Sequence, residues 1–304
     1  MIKAKFLITF QALVVCAGTV FHLSAVQAEE AYDFSRQAIE QSFSTVREAT
    51  RGLAAHTLYR PQHLELFEPG SMPVVVWANG ACRESNYGFL FISTMVSSHG
   101  VIVIANGAFD APAIDGGPVV PQNQIDAMDW LASDEGQEQL QGRADLTKIA
   151  VAGQSCGGLE ALLAGVDPRT KTILAFNTGF FEDCALGYCR DELENLHTPV
   201  LYVSGGPSDA AYENTIANYN LTQTPTYFAE HKYAGHSGLL YGIREGQGDT
   251  TLLTQAERTY VNWLDFMLNG NQEARAYFFG ENCDLCTHDD WNIMSKNWGI
   301  APNF

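Results

Sequence analysis

KIAVAGQSCGGLEALLAG, residues 148–165, sets a serine between two glycines where one side-chain pattern gives way to another. KIAVAG is a short apolar run of strand character. GGLEALLAG is rich in leucine, alanine and glutamate, the residues of a helix. Between them Gly153-Gln154-Ser155-Cys156-Gly157 must make a sharp turn. Gly-x-Ser-x-Gly between strand and helix is the signature of a nucleophile elbow: the turn is crowded, its neighbours must be small, and the serine hydroxyl is lifted clear. The helix start adds free N–H groups and a positive dipole end. The competing interpretation is an ordinary glycine-rich turn.

The same alternation continues outward. MPVVVWANG (72–80), VIVIAN (101–106), KTILAFN (171–177), PVLYVSGG (199–206) and PTYFAEH (225–231) have the composition of buried strands. YGFLFISTMVSSHG (87–100), QNQIDAMDWLAS (122–133), AAYENTIANYN (210–220) and TQAERTYVNWLDFMLNG (254–270) have that of helices. HTLYRP (56–61) is expected as an edge strand, SRQAIEQSFSTVREATRGL (35–53) as a helix capped by Ser35, and residues 180–197 as an irregular connection. Strands that are apolar along their whole length and alternate with helices predict an α/β fold, a mainly parallel sheet covered by helices on both faces.

A serine hydroxyl needs a base within hydrogen-bond reach. In a parallel sheet, functional groups gather at the carboxyl ends of the strands. The chain order expected after an elbow is serine, then Asp or Glu, then His. PSDAAYEN follows PVLYVSGG and supplies Asp209; KYAGHSG follows PTYFAEH and supplies His236. His236 is expected to take the serine proton, and Asp209 to fix the imidazole tautomer and stabilise its cation. The rivals are weaker. His231 closes a strand, Glu213 begins a helix, and Asp183 follows its strand by a long connection. For the oxyanion, the expected N–H donors are the amide of Cys156 and that of Ala81 in WANGACRES, with Cys82 the nearest alternative. Phe109 and the loop 107–119 are candidates for the pocket wall. Trp77 is read as a buried strand aromatic in preference to a pocket residue.

The N-terminus has Lys3 and Lys5, the apolar run 6–21 and AVQA ending at Ala28, which predicts a secretory signal peptide over 1–28 and a secreted or periplasmic chain. The remaining 276 residues suit a single domain over 29–304, with no repeat and no long linker. The formal charge of −18 falls to −20 when the two lysines are removed, and no basic cluster offsets it. Nucleic acid is therefore an unfavourable partner. No stable membrane insertion is expected after signal cleavage.

Six cysteines remain after cleavage. An even count in an exported chain favours disulfides. Cys184 with Cys189 and Cys283 with Cys286 are expected as local pairs; zinc at CDLCTHDD is disfavoured because a second ligand pair is missing. Cys156 follows the elbow serine and Cys82 follows the expected oxyanion donor, so two converging loops would bring them together as a third disulfide. The alternative is two free buried thiols.

VVVWANGACRES, SSHGVIVIANG, DLTKIAVAGQSCGG, VLYVSGGPSDAAY and AGHSG, in that order between about residues 72 and 270, resemble the dienelactone hydrolase, PET-hydrolase and cutinase-like branch of the α/β-hydrolases. The resemblance implies an α/β-hydrolase fold and a carboxylic ester hydrolase working through an acyl-enzyme on a small-molecule or polymeric ester, without metal or organic cofactor. Polyester hydrolases of that branch commonly carry an aromatic residue or His before the serine and Met after it. Gln154 and Cys156 stand there in this chain, a departure that argues against polyesters rather than against hydrolysis. Two other functions fit the same residues: a serine peptidase or amidase, and an inactive binding protein on the same scaffold.

Overall fold

The computed structural model describes residues 43–112, 116–241, 243–244, 247–248 and 250–300. All of them fall in the unit Gln41–Phe304. The expected signal peptide, and residues 35–42 of the expected first helix, lie outside the described residues.

Nine strands form one mixed sheet: β1 (Thr45–Ala49), β2 (His56–Pro61), β3 (Met72–Ala78), β4 (Ile102–Asn106), β5 (Ala144–Gln154), β6 (Thr170–Phe176), β7 (Val200–Ser204), β8 (Thr226–His231) and, last in the chain, β11 (Trp291–Lys296). Their spatial order is β1-β2-β4-β3-β5-β6-β7-β8-β11. β3 through β8 pair in parallel, and β1, β2 and β11 run antiparallel to their neighbours. A separate ribbon pairs β9 (Ile243–Arg244) with β10 (Gln247–Gly248).

Side chains alternate along the parallel strands, so the sheet divides the apolar interior in two. Val75, Trp77, Ala152, Leu174 and Phe176 face one core, which α1 (Leu90–Ser98) and α7 (Thr250–Asn269) cover. Val74, Val76, Val151, Ile173 and Ala175 face the other, under α2 (Gln122–Leu131) and α4 (Cys156–Ala164). The shorter helices are α3 (Asp134–Gln139), α5 (Tyr212–Leu221), α6 (Gly238–Tyr241) and α8 (Gln272–Ala276). The result is the expected mainly parallel sheet with helices on both faces. No helix among the described residues is long and apolar enough to cross a membrane.

Two expectations need correction. The helix placed over 35–53 is instead strand at Thr45–Ala49, which pairs with β2 over five rungs, from Thr45↔Pro61 to Ala49↔Thr57. Pairing with β2's open backbone edge outweighs the modest helix propensity of this stretch. HTLYRP is consequently an inner strand, and β1 is the edge. At the opposite edge β11 was not expected at all. It pairs with β8 in reverse, and Trp291 packs edge-on against His231 at 5.1 Å.

Candidate active site

β5 ends at Gln154 and α4 starts at Cys156, so Ser155 is the entire connection. Its backbone sits at φ 54°, ψ −118°, a left-handed conformation that a non-glycine residue adopts only under constraint. The flanking glycines show the constraint. A Cβ at Gly153 would collide with the Gly157 carbonyl, and one at Gly157 with the Ala78 carbonyl of β3. Helix α4 therefore packs directly onto the sheet backbone, and the half-buried serine stands at its N-terminus.

The structure brings the three residues expected to act together into one hydrogen-bonded chain. His236 Nε2 lies 3.0 Å from Ser155 Oγ, and His236 Nδ1 lies 2.6 Å from Asp209 Oδ1. Asp209 is buried, and its carboxylate accepts three further bonds: from the amides of Gly205 (3.0 Å) and Ala211 (2.9 Å), and from Asn177 Nδ2 (2.6 Å). Burial alone would raise its pKa and is the largest single influence. The bonds from His236, Ala211, Gly205 and Asn177 together outweigh it and hold the carboxyl below its ordinary value. The rivals lie elsewhere. His231 is fully buried at the end of β8, and Glu213 lies in the first turn of α5. Asp183 lies in the 180–190 loop, where its carboxylate accepts from the Ala185 amide.

Two polar residues to which no site role was assigned hold this chain in register. Gln154 donates from Nε2 to the His236 carbonyl at 3.0 Å and so ties the histidine loop to the turn beside the serine. Asn177, at the end of β6, bridges Asp209 and the Gly235 carbonyl. Their signal was positional only: each is a polar residue at the carboxyl end of a buried strand.

The Cys156 amide heads α4 and has no intrahelical acceptor. Across from it, Ala81 and Cys82 have successive positive φ angles of 56° and 47°, which turn this loop sharply after β3. Cys82 and Cys156 are joined at disulfide distance, Cα–Cα 5.3 Å, and clamp the two loops to each other. Cys184–Cys189 (4.3 Å) and Cys283–Cys286 (5.2 Å) form the other two pairs. Among the described residues, the only trio of grouped metal-ligating types is Cys82, Cys156 and Glu160. With both sulfurs joined to each other, no thiolate is on offer there.

The serine opens onto a cleft of about 460 Å³ whose walls include Leu159, Thr178, Phe181, Leu186, Gly116 and Gly117. Trp77 is buried in the core under the sheet. Phe109 is away from the cleft: its ring stacks on the Arg47 guanidinium at 4.2 Å, and its carbonyl accepts from the same group. Among the described residues of the loop 107–119, Gly116 and Gly117 reach the cleft instead.

Both ends of that loop are fixed by one buried carboxylate. Glu160 of α4 accepts from Asn106 Nδ2 (3.1 Å) and from the Val120 amide (2.8 Å). Desolvation lifts its pKa from 4.5 to about 7 against the pull of those two bonds. A carboxyl raised on folding stabilises the native state fully below about pH 4.5, and that contribution is lost as pH climbs through about 7. Glu160→Gln removes the titration. Asn106 Oδ1, buried and without a partner, can receive the new amide. The variant is expected to gain on the wild type by roughly 3 kcal/mol between pH 4.5 and 8. Denaturant titrations across that range check it, and parallel stability curves would refute it.

No protein-family model matches the chain, and no curated protein matches its sequence. The chemistry is therefore inferred from the site itself.

Proposed function

We propose that the protein is a secreted serine hydrolase of the α/β-hydrolase type that cleaves carboxylic esters through an acyl-enzyme. The observation that carries this reading is the unbroken line Ser155 Oγ–His236–Asp209, with the serine on a strained turn at a helix N-terminus. His236 takes the Ser155 proton as Oγ attacks the ester carbonyl carbon. The negative oxygen that develops is met by the Cys156 amide and by the Ala81 or Cys82 amide. The imidazolium returns the proton to the departing alcohol, and Asp209 stabilises the cation meanwhile. Water, activated by the same histidine, then releases the acid and restores the serine. Export agrees with the three disulfide pairs and with the N-terminal sequence.

A fluorophosphonate probe is expected to label Ser155 stoichiometrically, with p-nitrophenyl acetate protecting it. Absence of labelling on folded protein would refute the enzyme reading in favour of a binding protein. An anilide cleaved as fast as the matching p-nitrophenyl ester would replace the esterase reading with an amidase one.

A further inference from the structure

The connection between β6 and β7 is built more firmly than a surface loop requires. At its base the Phe180 amide donates to Asn218 Oδ1 on α5 (2.8 Å), and the Phe180 carbonyl accepts from Asn218 Nδ2 (3.0 Å) and from Arg190 Nε (3.2 Å). Arg190 also donates to Asn214 Oδ1 of α5 at 3.1 Å. The Cys184–Cys189 pair closes the tip. Within that closed tip, Cys184, Leu186 and Gly187 all have positive φ, at 58°, 65° and 88°. A leucine in the left-handed region costs about 1–2 kcal/mol that an asparagine or glycine would largely avoid. Leu186 gives no core packing in return, being 55% exposed. What it does is line the cleft that holds Ser155, together with Phe181 at the base of the same strap.

The cleft's charge points the same way. Among the described residues its wall carries no lysine, arginine, aspartate or glutamate. A substrate bearing a carboxylate, phosphate or ammonium near its ester would find no counter-charge there. Resting on the esterase reading above, we propose that the strap 180–190 selects the substrate: Leu186 and Phe181 grip an uncharged alkyl chain on the ester. The disulfide and Arg190 hold Leu186 in place before the chain arrives, so that little ordering is left for the moment of binding.

The test is a pair of chain-length series, p-nitrophenyl acetate to octanoate and the acetates of ethanol to octanol. Each is run on the wild type, Leu186→Ser, the double variant Cys184→Ser/Cys189→Ser, and Val166→Ser, an exposed apolar residue outside the cleft, as control. The readout is the ratio of kcat/KM for the six-carbon to the two-carbon member. Each methylene moved from water to an apolar wall is worth about fourfold. Leu186→Ser is expected to lower the ratio about tenfold in one of the two series, which identifies the gripped arm. The double variant should lower it in the same series by a smaller factor, and Val166→Ser should leave it alone. An active wild type whose ratio is the same in Leu186→Ser for both series would overturn the strap proposal and leave the esterase reading standing. A wild type inert toward every ester would overturn both.

Discussion

Ser155→Ala is expected to abolish ester turnover, lowering kcat by about four to six orders of magnitude while the protein stays folded. The hydroxyl is the group of the hydrogen-bonded line that the proposed reaction acylates, and alanine removes it without adding volume. The left-handed turn is retained, because the helix and sheet packed around Gly153 and Gly157 hold it there. Stability should therefore shift by no more than about 1 kcal/mol. His236→Ala should cost a similar factor, and the double variant little beyond either single one, since residues acting as a unit lose their effect together. Additive losses would mean that serine and histidine serve separate steps. A near-native rate in Ser155→Ala with an unchanged circular dichroism spectrum would refute the nucleophile outright.

The second large effect belongs to Asp209→Asn, which should lower kcat by roughly 10⁴. The new amide has two places to go. On the side of Oδ2, its N–H groups would face the Gly205 amide and Asn177 Nδ2, donor against donor. On the side of Oδ1 it meets the Ala211 amide and His236 Nδ1, and only the imidazole can adapt by changing tautomer. The proton then moves to Nε2, which donates to Ser155 instead of accepting from it, and the base is lost. The remaining clash with Ala211 is expected to cost about 1–3 kcal/mol of stability as well. Two measurements separate the effects: kcat at saturating ester, and the urea midpoint. A stable variant with a rate within tenfold of wild type would show that Asp209 is structural only.

Ser155, Asp209 and His236, which lie in one hydrogen-bonded line, were legible as a group because each comes after a strand recognisable by composition. IAVAG and PVLYV are continuous apolar runs and PTYFAEH has an apolar, aromatic centre, and a parallel sheet delivers the residues beyond their carboxyl ends to one rim. The disulfide between Cys82 and Cys156 was legible for the same reason, being two cysteines at the ends of neighbouring strands. The edges were not. In β11, Trp291 is buried and the next five residues are half-buried or exposed, so WNIMSK lacks the alternation that announces a strand. The contacts of the polar residues that set the geometry were also invisible. Gln154, Asn177, Glu160 and Arg190 act across 10 to 82 positions of sequence, and their contacts are not written in the residues beside them. The strap's role rests on the left-handed backbone of Leu186, which composition does not encode.

The connectivity of the six cysteines bears on how the molecule is made. Of the six cysteines beyond the N-terminal segment that holds Cys16, Cys82–Cys156, Cys184–Cys189 and Cys283–Cys286 join first to second, third to fourth and fifth to sixth. Six cysteines admit 15 pairings, and this is the one produced when an oxidant meets thiols in order of their emergence. Each bond can close as soon as its second cysteine appears, with no wrong partner yet exposed and no thiol exchange needed afterwards. The first to close spans 74 positions and is the one that clamps the serine's turn to the Ala81 loop. A chain threaded N-terminus first into an oxidising space would thus have the Ser155 turn stapled to the Ala81 loop before β6, β7 and β8 had arrived to complete the sheet.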